Sequence, residues 1–313
     1  MIPTAGEPAL APAPEGGAQV VASHGRMARV RLLNGLEQLA RPARRELVVV
    51  CGDQVHCEPD LQHQELRITR VLPRRTALYR SSARGRSELI AANVTLLLVV
   101  IAPLPEPDLF VADRYLAAAE CGGMRAALLL NKCELPLAEE LQMQLAALAS
   151  AGYALLRCSA QTGAGLEELA ARLKSETAML VGQSGVGKSS ILRLLVPDSD
   201  ALVGELIRDD EGRHTTTTSR LHRLPGGGEL IDSPGVRDFA PAIELLDPAT
   251  CGFVEIARLA PQCRFSDCAH LREPGCAVRA AVESGALCAR RYESFRRLGR
   301  LQRELSGLRR PGG

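Results

Sequence analysis

The sequence has no tryptophan, and all aromatics together make up 3% of its 313 residues. That scarcity argues against a nucleic-acid surface built mainly on stacked bases. Lysine is nearly missing as well: of 38 Lys and Arg, the three lysines are Lys132, Lys174 and Lys188. The arginine bias is what a GC-rich genome produces and is not an RNA-binding signal in itself. No apolar run reaches the ~18–20 residues that a membrane span needs. Residues 1–19, MIPTAGEPALAPAPEGGAQ, contain no Lys or Arg and no continuous apolar segment. They read as a disordered tail and not as a signal peptide.

What is present is globular. Hydrophobic residues are 46% and charged residues 24%, and the length suffices for two or three domains. Net charge is +2 but unevenly spread. Residues 20–90 carry 13 Arg against 7 acids, residues 91–240 carry 13 basic groups against 19 acids, and residues 241–313 carry 12 against 8. Basic ends around an acidic middle suit a polyanionic partner, and they also suit an ordinary solvated surface. Ten cysteines occur, seven of them scattered singly, as in a reducing cytoplasm.

Three textures divide the chain. Residues 20–88 are short β-branched runs such as ARVRLL and LRITRVLPR, with Asn34-Gly35 and Gly52-Asp53 as turns. They predict a five-stranded β-barrel of the oligonucleotide-binding (OB) type. With Tyr79 as its single aromatic, such a barrel would hold nucleic acid through arginine–phosphate contacts and shape. Residues 89–240 alternate apolar runs with helical patterns, which predicts a doubly wound α/β domain. Residues 241–313 read as helices around a Cys/His cluster, with PAIELLDP among the helices. No internal repeat is visible.

The chemistry begins at Gly182-Gln183-Ser184-Gly185-Val186-Gly187-Lys188-Ser189, followed by Ser190. It fits G-x-x-x-x-G-K-S between a strand, TAMLV, and a helix, SSILRLLV. Backbone N–H groups would cradle phosphate oxygens, Lys188 would reach the β/γ-phosphates, and Ser189 would ligate Mg²⁺. Asp232-Ser233-Pro234-Gly235 closes a later strand, where Asp232 would hold Mg²⁺ through water and the Gly235 N–H would sense the γ-phosphate. A threonine of the run 215–218, with Thr216 as the candidate, would complete the Mg²⁺ shell when γ-phosphate is present. A four-threonine run also fits a strand edge.

Upstream, ALLLNKCELP places Asn131, Lys132, Cys133 and Glu134 at a strand end. Asn131 would hold the loop and the base, and Lys132 would cover the guanine face. The Glu134 carboxylate would accept the paired N1–H and N2–H donors that adenine lacks. At Cys158-Ser159-Ala160 a backbone N–H of Ser159 or Ala160 would meet guanine O6. All these motifs sit at the carboxyl ends of predicted parallel strands, where open α/β sheets bind ligands. Base-reading loops precede the phosphate loop, so the order is that of a circularly permuted GTPase.

NKCE, CSA, GQSGVGKSS, GRHTTT, DSPGVRDF and CRFSDCAHLREPGCAV together resemble the circularly permuted, small-subunit-dependent GTPase A family (RsgA, also called YjeQ), over about residues 20–300. The resemblance implies a cytoplasmic GTPase of late small-subunit assembly. It further implies an N-terminal OB barrel, a C-terminal zinc domain, and hydrolysis stimulated by the ribosomal subunit. Glu134 stands where the family motif has Asp.

Cys263, Cys268, His270 and Cys276 form C-x4-C-x-H-x5-C. Three thiolates and one imidazole predict a closed, structural zinc site. Val236 follows the D-x-P-G glycine, where Ras-like enzymes carry a water-orienting Gln. Intrinsic hydrolysis is therefore expected to be slow, with the small subunit and its rRNA as the activating partner of a monomeric protein. Two other readings stay open: a nucleotide-gated rRNA-binding scaffold with little turnover, and an ATPase with relaxed base choice.

Overall fold

In the computed structural model, which describes residues 17–24, 27–60, 65–81, 87–196, 219–233 and 240–308, five short strands open the chain. They are β1 (Ala18–His24), β2 (Met27–Arg31), β3 (Glu37–Pro42), β4 (Gln54–Asp60) and β5 (Glu65–Val71). Alternating positions point inward, so Val20, Val30, Ala40, Val55, Leu66 and Ile68 form one apolar interior. The ladders run β1–β2, β2–β3, β3–β5, β5–β4 and back from β4 to β1. This closed ring is the expected barrel. Ala18 and Gln19 pair with Val55 and Gln54. The end of the predicted tail is therefore barrel strand, while residues 1–16 lie outside the described residues.

β1 changes partner along its length. Ala22 and Ser23 face Arg220 and Ser219 of β12 (Ser219–Arg223). The register against β2 slips between Val20 and Ala22, a bulge that locally bends the strand, while β1 stays paired with β2 as far as His24. The barrel is thereby hydrogen-bonded into the second sheet. Beneath this seam, Glu229 accepts from Gln19 at 2.8 Å and from Arg31 at 3.0 Å. A hairpin, β6 (Ala77–Ser81) and β7 (Ser87–Ala92), follows the barrel. Its Ser81 and Tyr79 bond the backbone of Ala240 and Ala242.

The second sheet contains β8 (Leu96–Ile101), β9 (Arg125–Leu130), β10 (Ala154–Arg157), β11 (Thr177–Val181) and β13 (Glu229–Asp232). Its order is β10-β9-β8-β11-β13-β12, parallel except for β12. Every residue of β8 is buried. Leu97, Val99 and Ile101 pack with α1 (Leu109–Cys121) and α2 (Glu139–Ala151). Leu96, Leu98 and Val100 pack on the other side with α3 (Leu166–Leu173) and α4 (Lys188–Leu195). Burial on both faces explains an apolar run without alternation, at about 1.5–3 kcal/mol per leucine. From β8 the chain builds outward to β10, then returns to the centre at β11 and builds the other way. The reversal opens a crevice at the carboxyl ends of β8 and β11.

The C-terminal region packs α5 (Val254–Leu259), α6 (Ala277–Glu283) and α7 (Ala289–Leu308) around Phe253, Val278, Phe295 and Leu298. PAIELLDP, expected as a helix, forms a single 3₁₀ turn at Ile243–Leu245. Pro241 and Pro248 bracket it, and Pro248 disfavours helical backbone at Asp247. Asp113 of α1 is fully buried and takes Arg290 at 2.6 Å and Arg291 at 2.7 Å from α7. Arg291 also grips Glu255 of α5 at 2.6 and 2.8 Å. Among the described residues no helix is long and apolar enough to cross a membrane.

Candidate functional site

The glycine-rich loop leaves β11 at Gly182 and enters α4 at Lys188. Gly182 has φ +138°, and a Cβ there would lie 2.3 Å from the Val100 carbonyl oxygen, so the loop starts pressed against β8. Gly187 has φ +95°, and a Cβ there would lie 2.2 Å from Asn131 Nδ2. Only glycine fits such backbone at such distances. Lys188 is buried, and its Nζ donates to the carbonyls of Gly182 at 2.7 Å and Gln183 at 2.8 Å. Lys188, Ser189, Asp232 and Ser233 line one small cavity. The phosphate-loop lysine and serine and the distant carboxylate are thus brought together, as the sequence motifs require.

The segments expected to read the base converge on the same loop. Asn131 is buried at the end of β9. Its Nδ2 donates to the Val186 carbonyl at 2.8 Å, and its Oδ1 accepts from the Ala160 N–H at 3.0 Å. One side chain therefore joins the phosphate loop to the Ser159–Ala160 segment. Lys132 occupies the left-handed region, φ 58°. Its Nζ donates to Gly185 O at 2.9 Å and Leu104 O at 2.7 Å, contacts that hold this strained backbone. Gly185 and Val186 are thus each tied from outside by this motif.

Cys133 N–H donates to Cys158 O at 3.1 Å, which sets the Cys133–Glu134 turn beside the Cys158 segment. Burial, then the nearby Cys133 and Glu134, pushes the Cys158 thiol up to about 12. Glu134 itself is exposed. The amides of Cys158, Ser159 and Ala160 bond Leu130 O, Ala164 O and Asn131 Oδ1 respectively. All three amides are thus bonded within the protein, and the Ala160 N–H holds the Asn131 side chain. Thr162 N–H closes the turn on Ser159 Oγ at 3.0 Å.

Gln183, Ser184 and Ser190 fall where expected in the loop and first helical turn. The Gln183 side chain, however, turns outward. Its Oε1 accepts from the Asp108 N–H at 2.8 Å, and its Nε2 donates to Glu106 O at 3.1 Å. Asp108 in turn caps α1, accepting from Phe110 and Val111. Thr216 and Gly235 lie outside the described residues. Their flanks do not: Ser219 Oγ and Ser233 Oγ are 2.6 Å apart and buried, so the strands leaving both segments are pinned together.

The second cluster lies in the C-terminal region. The ligand atoms of Cys263, Cys268, His270 and Cys276 all fall within 4.8 Å of one another. His270 Nδ1 is 3.5 Å from Cys263 Sγ and 3.6 Å from Cys276 Sγ, and the two sulfurs are 4.0 Å apart. A zinc tetrahedron with Zn–S of about 2.3 Å and Zn–N of about 2.0–2.1 Å has S···S edges near ~3.8 Å and S···N edges near ~3.5 Å. The donor set fits that ion in kind, number and size. Glu273 organises the intervening loop by accepting the N–H groups of Leu271 and Arg272, both at 2.9 Å. Backbone hydrogen bonds of this kind hold its carboxyl at about 2. The Tyr292 hydroxyl donates to His270 O at 2.6 Å, fastening the loop to α7. The sequence carried no signal for this tie or for the Asp113–Arg291–Glu255 junction.

The sequence model of the RsgA GTPase family matches residues 71–241. The small ribosomal subunit biogenesis GTPase RsgA of Ectopseudomonas mendocina (strain ymp) is 46% identical over 255 residues, covering 80% of this chain and 74% of the relative. YjeQ from Thermotoga maritima superposes with TM-score 0.71 at 29% identity, over 92% of this chain and 98% of its own. YloQ, a circularly permuted GTPase, has the same fold, with TM-score 0.70 at 21% identity over 95% of this chain and 97% of its own. With the family model over residues 71–241 and a relative 46% identical over 80% of the chain, the chain belongs to the RsgA GTPase family.

Proposed function

We propose that this protein is a GTPase of small ribosomal subunit biogenesis, hydrolysing GTP to GDP and phosphate with turnover stimulated by the subunit. The observation that carries the reading is the convergence, at one crevice, of Asn131, Lys132, Lys188, Ser189 and Asp232 from segments ordered base-first in the chain. In this reading the loop amides of Gly182–Lys188 cradle the phosphates, and Lys188 offsets charge on the β/γ-phosphates. Ser189 and Asp232, with Thr216, would hold Mg²⁺, which would supply charge neutralisation for the phosphates. Asn131, Lys132, Cys133, Glu134, Ser159 and Ala160 shape the guanine end, with Glu134 as the carboxylate that selects the base. Gly235 would report the γ-phosphate.

The cluster of Cys263, Cys268, His270 and Cys276 would hold one zinc ion with all four positions filled by protein, a structural role. The basic barrel and C-terminal region would contact rRNA phosphates. The protein would act as a cytoplasmic monomer. The test is phosphate release with and without purified small subunits, for the wild type and Lys188→Ala. Stimulation of the wild type and its loss in a folded Lys188→Ala variant are expected; equal wild-type rates with and without subunits would overturn the reading.

A further inference from the structure

The phosphate loop works only if its amides stay turned inward, and its positive-φ glycines do nothing to keep them so. What holds the loop must come from outside. Two ties belong to the Asn-Lys motif: Asn131 on Val186 and Lys132 on Gly185. Both act on the second half of the loop. The first half has a separate tie, and it comes from a position that the G-x-x-x-x-G-K-S pattern leaves open. Gln183 reaches away from the loop interior and bonds two backbone groups of the β8–α1 connection, Asp108 N and Glu106 O.

That connection is itself fixed on both sides. Leu104 O is bonded by Lys132 Nζ, and Pro105 packs at Gly185, where an added Cβ would meet its ring at 3.3 Å. Asp108 begins α1, and one turn later Asp113 is locked to Arg290 and Arg291. Gln183 therefore fastens the loop to a post that is held from its far side by the C-terminal region.

We infer that the Gln183 side chain plays a positioning role in GTP binding and hydrolysis, fixing the first half of the phosphate loop through the N-terminus of α1 without itself touching nucleotide. The inference rests on the GTPase reading above. On that reading the loop holds phosphates beyond the α-phosphate, so the effect depends on the ligand. GDP has the β-phosphate and GMP lacks it.

The experiment is equilibrium binding of GDP and GMP to the full-length protein, wild type and Gln183→Met. Methionine keeps the shape and removes both hydrogen bonds. The expected result is a GDP affinity lowered about tenfold, since a loop released from two hydrogen bonds must be ordered again on binding, with GMP affinity changed less than twofold. Unchanged GDP affinity, or equal losses for GDP and GMP, would overturn the inference. A measurement on the unmodified protein is independent of whether the variant folds. Hydrogen exchange at the Asp108 amide is expected to slow when GDP binds, and exchange that ignores GDP would count against the tie. Failure of the wild type to bind GDP at all would instead strike the GTPase reading.

Discussion

Replacing Asp113 by Ala tests how the C-terminal region is attached. The carboxylate is fully buried, and two arginines converge on it at 2.6 and 2.7 Å. Deleting one member of a buried charge set typically costs about 3–5 kcal/mol, because the remaining charge stays desolvated and unpaired. Two features place this case at the lower end. Arg291, 2% exposed, keeps its two-pronged pairing with Glu255. Arg290 is 23% exposed and can turn toward water. The expected loss is ~3 kcal/mol, about a hundredfold in the folded-to-unfolded ratio of this region.

Urea unfolding followed by tyrosine fluorescence reads it directly. The chain has no Trp and four Tyr, of which Tyr115, Tyr153 and Tyr292 lie on or beside the junction. A control separates charge from packing. Changing Asp113 and Glu255 to Leu together with Arg290 and Arg291 to Met removes every charge, and a stability within ~2 kcal/mol of wild type is expected. A change below ~1 kcal/mol for Asp113→Ala would refute the reasoning, since it would mean that the arginines lose nothing when their partner goes.

Two other outcomes follow from the same geometry. Cys276→Ser, or exhaustive chelation of the wild type, is expected to remove one equivalent of zinc and the helical signal of the C-terminal region while GDP binding persists; metal analysis with circular dichroism checks it. His222 is buried on β12 at the seam with the barrel, and burial, then Arg220, holds its pKa below the ordinary value. The unfolded chain therefore binds the extra proton first as pH falls through about 6.5, so stability should decline below that point and recover above it. His222→Gln is expected to flatten this decline in urea midpoints between pH 5.5 and 7.5.

Much of the molecule was legible before its fold was known, for a local reason. A strand–glycine loop–helix, a strand ending in Asn131–Lys132 and a C-x4-C-x-H-x5-C loop each carry their chemistry within a few residues. Spacing along the chain then suffices to single out the glycine-rich loop, the Asn131–Glu134 segment and the four-residue Cys/His cluster that the fold brings together. The unbroken apolar run of β8 likewise announced a strand covered on both faces.

Other features depend on which segments pack together, and no local pattern encodes that. Asp113 meets Arg290 and Arg291 across more than 170 residues of chain. Gln183 looks like a spacer until the fold sets the β8–α1 connection beside it. β1 keeps β2 along one edge, yet its other edge passes from β4 at Ala18 and Gln19 to β12 at Ala22 and Ser23, which joins the barrel to the α/β sheet. The sequence by itself determined the chemical parts and the order in which they are strung. Tertiary structure decided which backbone groups brace them, because a hydrogen bond or a buried ion pair is made by proximity in space, which chain order does not specify.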